Sequence, residues 1–377
     1  MKTFDVIVVG LGAMGTAVTY ALASHGFKVL GLERFVLNHT NGSSHGGSRI
    51  IRTAVFPQPF QVPLVQRAFA LWSKIENESE RKLLKTTGAL LFGLPDSPLI
   101  TGCLDSSRRY GLPYDIFTGT EVTSRFPVFQ LDQGELAFYE KQAGILFPEE
   151  CIRAEASLAV SHGALLQFNE PVARWNADGS RVEVRTSKAT YEAKSVVIAT
   201  GAWLGTMVPE LRLPLQVERQ IAFWFAPQKN HGLFASNMMP VFDWQTKDHF
   251  YYGVPDIGSG VKVAIHHDGE ATSPDQIRRE VTEEDQRPVR EFLKRHIPSL
   301  DDIPVSSGTC MYTNTPDDDF IIDSHPHYPN VVIVSACSGH GFKFSIAIGE
   351  VVQQMIQCGK AEIDTSTFKI RRFDATK

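Results

Sequence analysis

Residues 4–15 read Phe4-Asp5-Val6-Ile7-Val8-Val9-Gly10-Leu11-Gly12-Ala13-Met14-Gly15, and Glu33 closes the next apolar run, Phe27 to Leu32. A short, β-branched apolar run that ends in glycine is a buried strand. Residues 13–25 read as a helix closed by Gly26. The first glycine makes a tight turn, and the second lets backbone approach a pyrophosphate. The third lets helix press on strand, and the helix N-terminus faces negative charge. Glu33 is placed to accept hydrogen bonds from a ribose with a free 2′-OH. In isolation such letters also suit a glycine-rich turn with a surface glutamate. With strand, helix and acid in register, they predict a dinucleotide site, without separating NAD from FAD.

Outward from this segment, two more buried strands are predicted at Ser195–Ala199, ending at Thr200-Gly201, and at Asn330–Val334. A helix is predicted from about Lys343 to Cys358, stopping at Gly359. Residues 85–145 and 215–300 are richer in aromatics, prolines and alternating patterns. Val217 to Phe225, Phe250 to Val254 and Val261 to Ile265 read as antiparallel strands. Thr282-Glu283-Glu284-Asp285 reads as a capped helix start, with Val289, Phe292 and Leu293 on one face. The predicted layout is α/β. A nucleotide-binding domain is built from residues 1–84, 146–214 and 305–377, and a mostly antiparallel sheet domain from 85–145 and 215–304 is inserted in it.

The chain has 377 residues, 43% hydrophobic and 21% charged, enough for a large core without staples. Five cysteines are few and odd in number, which argues against a disulfide framework. The net charge of −5 carries no basic stripe, so nucleic acid is not an expected partner. No apolar run reaches the ~18 residues of a membrane span. Residues 6–23 are greasy and Ala21-Leu22-Ala23 mimics a leader-peptidase site. Asp5 and the glycines at 10, 12 and 15 favour a retained, cytoplasmic N-terminus. The final Ala375-Thr376-Lys377 is no peroxisomal address.

Two further motifs carry chemistry. Residues 39–52, HTNGSSHGGSRIIR, place small residues and hydroxyls beside Arg49 and Arg52. Three apart, these arginines would share one face of a helix, and a guanidinium clamps a carboxylate at two points. By composition alone a surface loop with solvated arginines fits better, and it loses ground only because this loop directly follows the dinucleotide unit. Residues 310–323, CMYTNTPDDDFIID, precede the 330–334 strand, and SGHGFK (338–343) follows it. A helix starting there points N–H groups at its ligand, an end that favours negative charge. Lys343 is misplaced for the dipole unless a ligand carboxylate meets it. A lone cysteine such as Cys310 is ordinarily a small buried hydrophobe.

Together these pieces resemble the monomeric sarcosine oxidase family, whose relatives include N-methyltryptophan oxidase and peroxisomal pipecolate/sarcosine oxidase. The resemblance covers nearly the whole chain. It implies a Rossmann-like FAD-binding domain of the glutathione-reductase/D-amino-acid-oxidase type and a monomer. The implied reaction is oxidation of a secondary amino acid to an imine, with O2 reduced to hydrogen peroxide. Residue by residue, Cys310 resembles the cysteine that joins the flavin covalently. Arg52 and Lys343 resemble the pair that grips the substrate carboxylate, and Tyr252 and Tyr312 the tyrosines around it. Lys262 resembles the lysine that assists oxygen, and its flanking valines would face the other way in a strand. His266 resembles an active-site histidine, although His267 and Asp268 after it also suit a solvated turn. His45 and Arg49 resemble residues against the opposite flavin face. The remaining implied cofactor contacts are Gly10, Gly12, Met14, Gly15, Glu33 and Arg34, then Ser43, Ser44, Val172, Gly201 and Trp203, then Met311, Gly339, Gly341 and Phe342.

The chain departs from the family at Ala336-Cys337, where relatives often carry glycine and an aromatic. It also departs at Thr53–Phe60, which lacks the His-Ala-Tyr that often follows the arginine. Both leave the substrate open; the second loop would gate entry, and the small bulk of Cys337 leans toward a substrate larger than sarcosine. Three rival readings share part of this pattern. A flavin dehydrogenase passing electrons to a quinone or carrier keeps every motif except the oxygen-assisting lysine. An NAD-dependent dehydrogenase keeps only the first motif. A non-catalytic binding protein has no use for Arg52, Cys310 and Lys343 together.

Overall fold

The computed structural model describes residues 2–376; Met1 and Lys377 lie outside the described residues. The strand Lys2–Val9 lies at the centre of an eight-stranded sheet. It pairs in parallel with Val29–Leu32 on one side and with Thr190–Ile198 on the other. Leu165–Gln167 and Val331–Ser335 extend the parallel set on its two flanks. Such strands are buried on both faces, so their sequences are continuously apolar rather than alternating. One face is covered by the helices Ala13–Ser24, Pro148–Ser161 and Ser345–Cys358, which pack on one another. The helix Ala13–Ser24 is buried on nearly every residue, and its glycine-alanine composition permits that closeness. A Cβ on Gly15 would lie 1.7 Å from the Gly10 carbonyl oxygen, which explains the third glycine of the turn.

The second sheet has nine strands and is antiparallel apart from the Val241–Gln245 pairing with Ala89–Gly93. Gln216–Phe225, Val261–Ile265 and Phe250–Val254 are adjacent in it. The helix Glu283–His296 begins in a Thr282/Asp285 capping box and buries Val289, Phe292 and Leu293 against this sheet's aromatic core. A small sheet of Arg49–Ile51, Gly144–Leu146 and Leu84–Thr86 completes the strands.

Three expectations change. Ser306–Asn314, grouped by sequence with the nucleotide-binding pieces, instead pairs along its whole length with Gln216–Phe225 of the second sheet. Its partner lies far off in sequence, so nothing local signals the choice. Arg49–Ile51 is a strand, not a helix, so Arg49 and Arg52 do not share a face. Cross-strand pairing with Gly144–Leu146 overrides the helical spacing. The last long helix begins at Ser345, and Lys343 sits in a preceding 3-10 turn, Phe342–Phe344.

Candidate active site

The carboxyl ends of the parallel strands meet at one edge of the first sheet. There Gly10, Glu33, Thr200-Gly201 and Ala336 open onto a cavity of about 1160 Å³. Ligands collect at this edge in open α/β sheets because chain reversals leave a crevice between diverging loops. The nine-stranded sheet forms the opposite wall. Tyr252, Lys262, His266, Cys310 and Tyr312 alternate onto that one face. Every residue expected at the site lines the cavity except Gly15, whose work is the packing above.

At the dinucleotide end, Glu33 is buried, and its carboxylate accepts from the N–H groups of Leu11 at 2.8 Å and Phe35 at 3.0 Å. Gly10 has φ +89°, and a Cβ there would stand 2.6 Å from the Ala199 oxygen. Arg34 lies over the Trp203 ring at 5.0 Å, closing that end. Ser44 Oγ accepts from the Ala13 N–H at 3.2 Å, tying the Gly-Ser loop to the helix start. Glu149, an acid that reads in sequence only as part of a helix's first turn, accepts from the N–H groups of Gly46 and Gly47 at 2.8 and 3.1 Å. Buried polar atoms on the wall, His45 Nε2, Thr200 Oγ1 and His340 Nε2, have no partner among the described residues. A long cleft with a glycine cradle, a buried acid and orphaned polar atoms fits a flavin dinucleotide.

Arg49 donates to the carbonyls of Ser43, His45 and Ser48, each at 2.7 Å, so its guanidinium is committed to shaping this loop. Lys262 is buried, and Nζ donates to the Gly46 and Ser48 carbonyls at 3.1 and 3.3 Å. Val261 and Val263 point the other way, into the aromatic core. Burial, then Arg49, pushes the Lys262 ammonium down to about 7. Burial raises the Cys310 thiol, and Arg49 and Lys262 oppose that rise.

Beyond the loop, Arg52 and Lys343 reach the cavity from distant parts of the chain. Arg52 Nε donates to Asp243 Oδ2 at 2.9 Å. Lys343 Nζ donates to the His340 carbonyl at 2.9 Å. The turn carrying Lys343 is pinned by Trp72, whose Nε1 donates to the Lys343 carbonyl at 3.0 Å and whose ring stacks on Phe342. Burial, then the Arg52 charge, lowers Lys343 to about 7. Asp243 offsets one of these two charges, and a bound anion would offset the other.

His266 is not in a solvated turn. Its N–H continues the strand to the Phe250 carbonyl, and Nδ1 lies 3.2 Å from the Tyr312 hydroxyl. Burial keeps His266 neutral, as it does His45, lowered to about 4, and His340, lowered to about 3. Burial also holds the Tyr252 and Tyr312 phenols protonated, since both are pushed above their ordinary value. Asp243 and His267 also line the cavity and were missed. Asp243 stands alone among aromatics in a buried strand, Val241–Gln245, and an acid in such a run is the signal that could have found it.

Residues 5–355 match the model of the FAD dependent oxidoreductase family. The chain is 38% identical to a monomeric sarcosine oxidase of Streptomyces avermitilis, over 99% of this chain and 98% of that protein. It is 32% identical to an N-methyl-L-tryptophan oxidase of Yersinia pestis, over 98% of this chain and 99% of that one. Among solved structures, an L-proline dehydrogenase from P. horikoshii covers 100% of this chain and 99% of its own, with TM-score 0.87 at 23% identity.

Proposed function

Since this chain belongs to the FAD dependent oxidoreductases, alongside the monomeric sarcosine oxidases, we propose that it oxidises N-methyl or cyclic imino acids at the C–N bond to an imine. The observation that carries this is the convergence of Arg52 and Lys343 on one wall of the cavity that Gly10, Glu33 and Cys310 also line. FAD, which Gly10, Gly12, Glu33 and the Gly-Ser loop would hold, would supply the two-electron redox chemistry that links amine oxidation to the reduction of dioxygen to hydrogen peroxide, and the imine product is hydrolysed by water.

The chain's own part is binding, orientation and charge. Arg52 and Lys343 hold the substrate carboxylate and so fix the carbon–nitrogen bond against the ring system. Tyr252, Tyr312 and neutral His266 surround the amine without offering a cation, which favours the uncharged amine that can give up electrons. Lys262, on the loop side, supplies a positive charge for oxygen reduction, which favours an oxidase over a dehydrogenase that hands its electrons to a carrier. Cys310 is the tether for a covalent flavin. Ala336 and Cys337 line the cavity with little bulk, which supports a substrate larger than sarcosine, such as pipecolate or proline. No helix among the described residues is long and apolar enough to cross a membrane. We take the protein to be a cytoplasmic monomer.

The test is oxygen uptake and peroxide release across a panel of N-methyl and cyclic amino acids, with intact mass measured beside it. The reading expects a flavin adduct, absent in Cys310→Ser, and turnover best with substrates larger than sarcosine. A colourless chain of unmodified mass that consumes no oxygen sinks it.

A further inference from the structure

Arg52 reaches the cavity with two of its three guanidinium nitrogens already engaged. Nε donates to Asp243 Oδ2 at 2.9 Å, and an NH1 group donates to the Ala54 carbonyl. A guanidinium has five donors in a planar fork. The nitrogen left for a ligand is therefore NH2. Asp243 lies directly across the strand pair from Tyr252, on the sheet face that walls the cavity. It is only 7% exposed, so its charge is expressed within the cavity rather than in bulk water.

We propose that Asp243 sets both the edge and the net charge that Arg52 offers, and thereby makes the cavity select substrates with one carboxylate over those with two. The proposal rests on the reading that Arg52 and Lys343 take the substrate carboxylate. With a carboxylate bound beside it Lys343 is held charged, so Arg52 and Lys343 supply two positive charges and Asp243 one negative, leaving one. A single carboxylate neutralises that remainder. A second carboxylate finds no free cation beside the clamp, and it meets Asp243 and Asp318, both on the cavity wall. Arg34 and Arg174 also line the cavity, on the side of the dinucleotide-binding sheet, and the cations on the clamp side are committed. Arg49 is tied to three carbonyls, Lys262 to the Gly46 and Ser48 carbonyls, and His267 lies 3.7 Å from Glu218. His266 and His340 stay neutral because burial disfavours their charge. An unpaired carboxylate in so dry a place is costly enough to discriminate strongly.

The experiment titrates the flavin-loaded enzyme with acetate and with malonate, following the flavin spectrum, and measures kcat and KM on N-methylalanine and N-methylaspartate. Asp243→Asn keeps an oxygen for Arg52 Nε and removes the charge. The expected result is an acetate-to-malonate preference that falls at least fivefold, with the matching change in KM for N-methylaspartate rather than in kcat. A purely structural role would move both ligands together, and any smaller shift in the preference overturns the proposal. If Asp243→Asn does not fold, Asp243→Ser is read by the same criterion. Arg52→Met separates this proposal from the reading beneath it. Acetate affinity unchanged in Arg52→Met refutes the carboxylate clamp. Acetate affinity lost there, with the preference unmoved in Asp243→Asn, refutes only the role of Asp243.

Discussion

Lys262 Nζ donates to the Ser48 carbonyl at 3.3 Å and lies 3.4 Å from the Ser48 hydroxyl oxygen, so one strand of the second sheet is fastened to the loop that follows the dinucleotide unit. The bond places a buried ammonium at the junction of the two sheets. Replacing Lys262 with methionine keeps the bulk and removes the charge. Flavin reoxidation by oxygen is expected to slow on the order of 100-fold or more, the usual cost of a lost preorganised charge, while anaerobic reduction by substrate changes little. Stopped-flow measurement of both half-reactions decides this, and equal losses in the two would refute the assigned role.

The same lysine predicts a pH dependence. Burial and Arg49 bring it down to about 7, so it is charged below that pH and neutral above. The reoxidation rate constant is therefore expected to fall as pH rises through about 7 in the wild type and to stay flat in Lys262→Met. A wild-type profile flat from pH 6 to 9 contradicts it.

The Arg52–Asp243 pair makes a stability prediction of its own. Both groups are buried, so removing one partner strands the other charge. Arg52→Ala is expected to cost about 3–5 kcal/mol, and the double variant Arg52→Ala/Asp243→Ala less than that single change. Urea unfolding of the three proteins checks the order.

Gly10 holds φ +89°, and a Cβ there would press on the Ala199 oxygen at 2.6 Å. Gly10→Ala should shift the backbone that faces the pyrophosphate and abolish flavin retention, measured as the ratio of visible to ultraviolet absorbance after purification. Full flavin content would count against the cradle.

Glu155 lies fully buried beneath the first helix, accepting from Thr16 Oγ1 at 2.5 Å, and its other oxygen has no partner among the described residues. Burial pushes its carboxyl from 4.5 up to about 8. The folded protein keeps this proton across that window while the unfolded chain loses it. Stability from this group is thus present below about 4.5 and declines as pH rises toward about 8. Glu155→Gln removes the slope, so its unfolding free energy from urea titration should gain on wild type from pH 5 to 8, by on the order of 3 kcal/mol at the upper end. A difference independent of pH refutes this.

The parallel strands were readable because burial on both faces leaves continuous apolar runs, and the glycines and Glu33 are local requirements of one turn. Lys262 was placed on its own face by two valines, since a strand alternates. The capped helix at Thr282 likewise followed from four adjacent letters. His266 was ambiguous, because only the continuation of its strand beyond Ile265 removes it from a turn. The shared helix face of Arg49 and Arg52 does not form, because a three-residue spacing says nothing about a strand that exists only through Gly144–Leu146, although both side chains reach the cavity.

What the sequence determined by itself was the identity of the chemical groups and the local geometry that holds each one. Which charges confront one another was decided by tertiary structure alone. Arg52, Asp243 and Lys343 come from three distant segments, and nothing within any one of them encodes the distance to the others. Coulomb energy depends on separation and on the water excluded between charges, and both exist only once the two sheets close over the cavity.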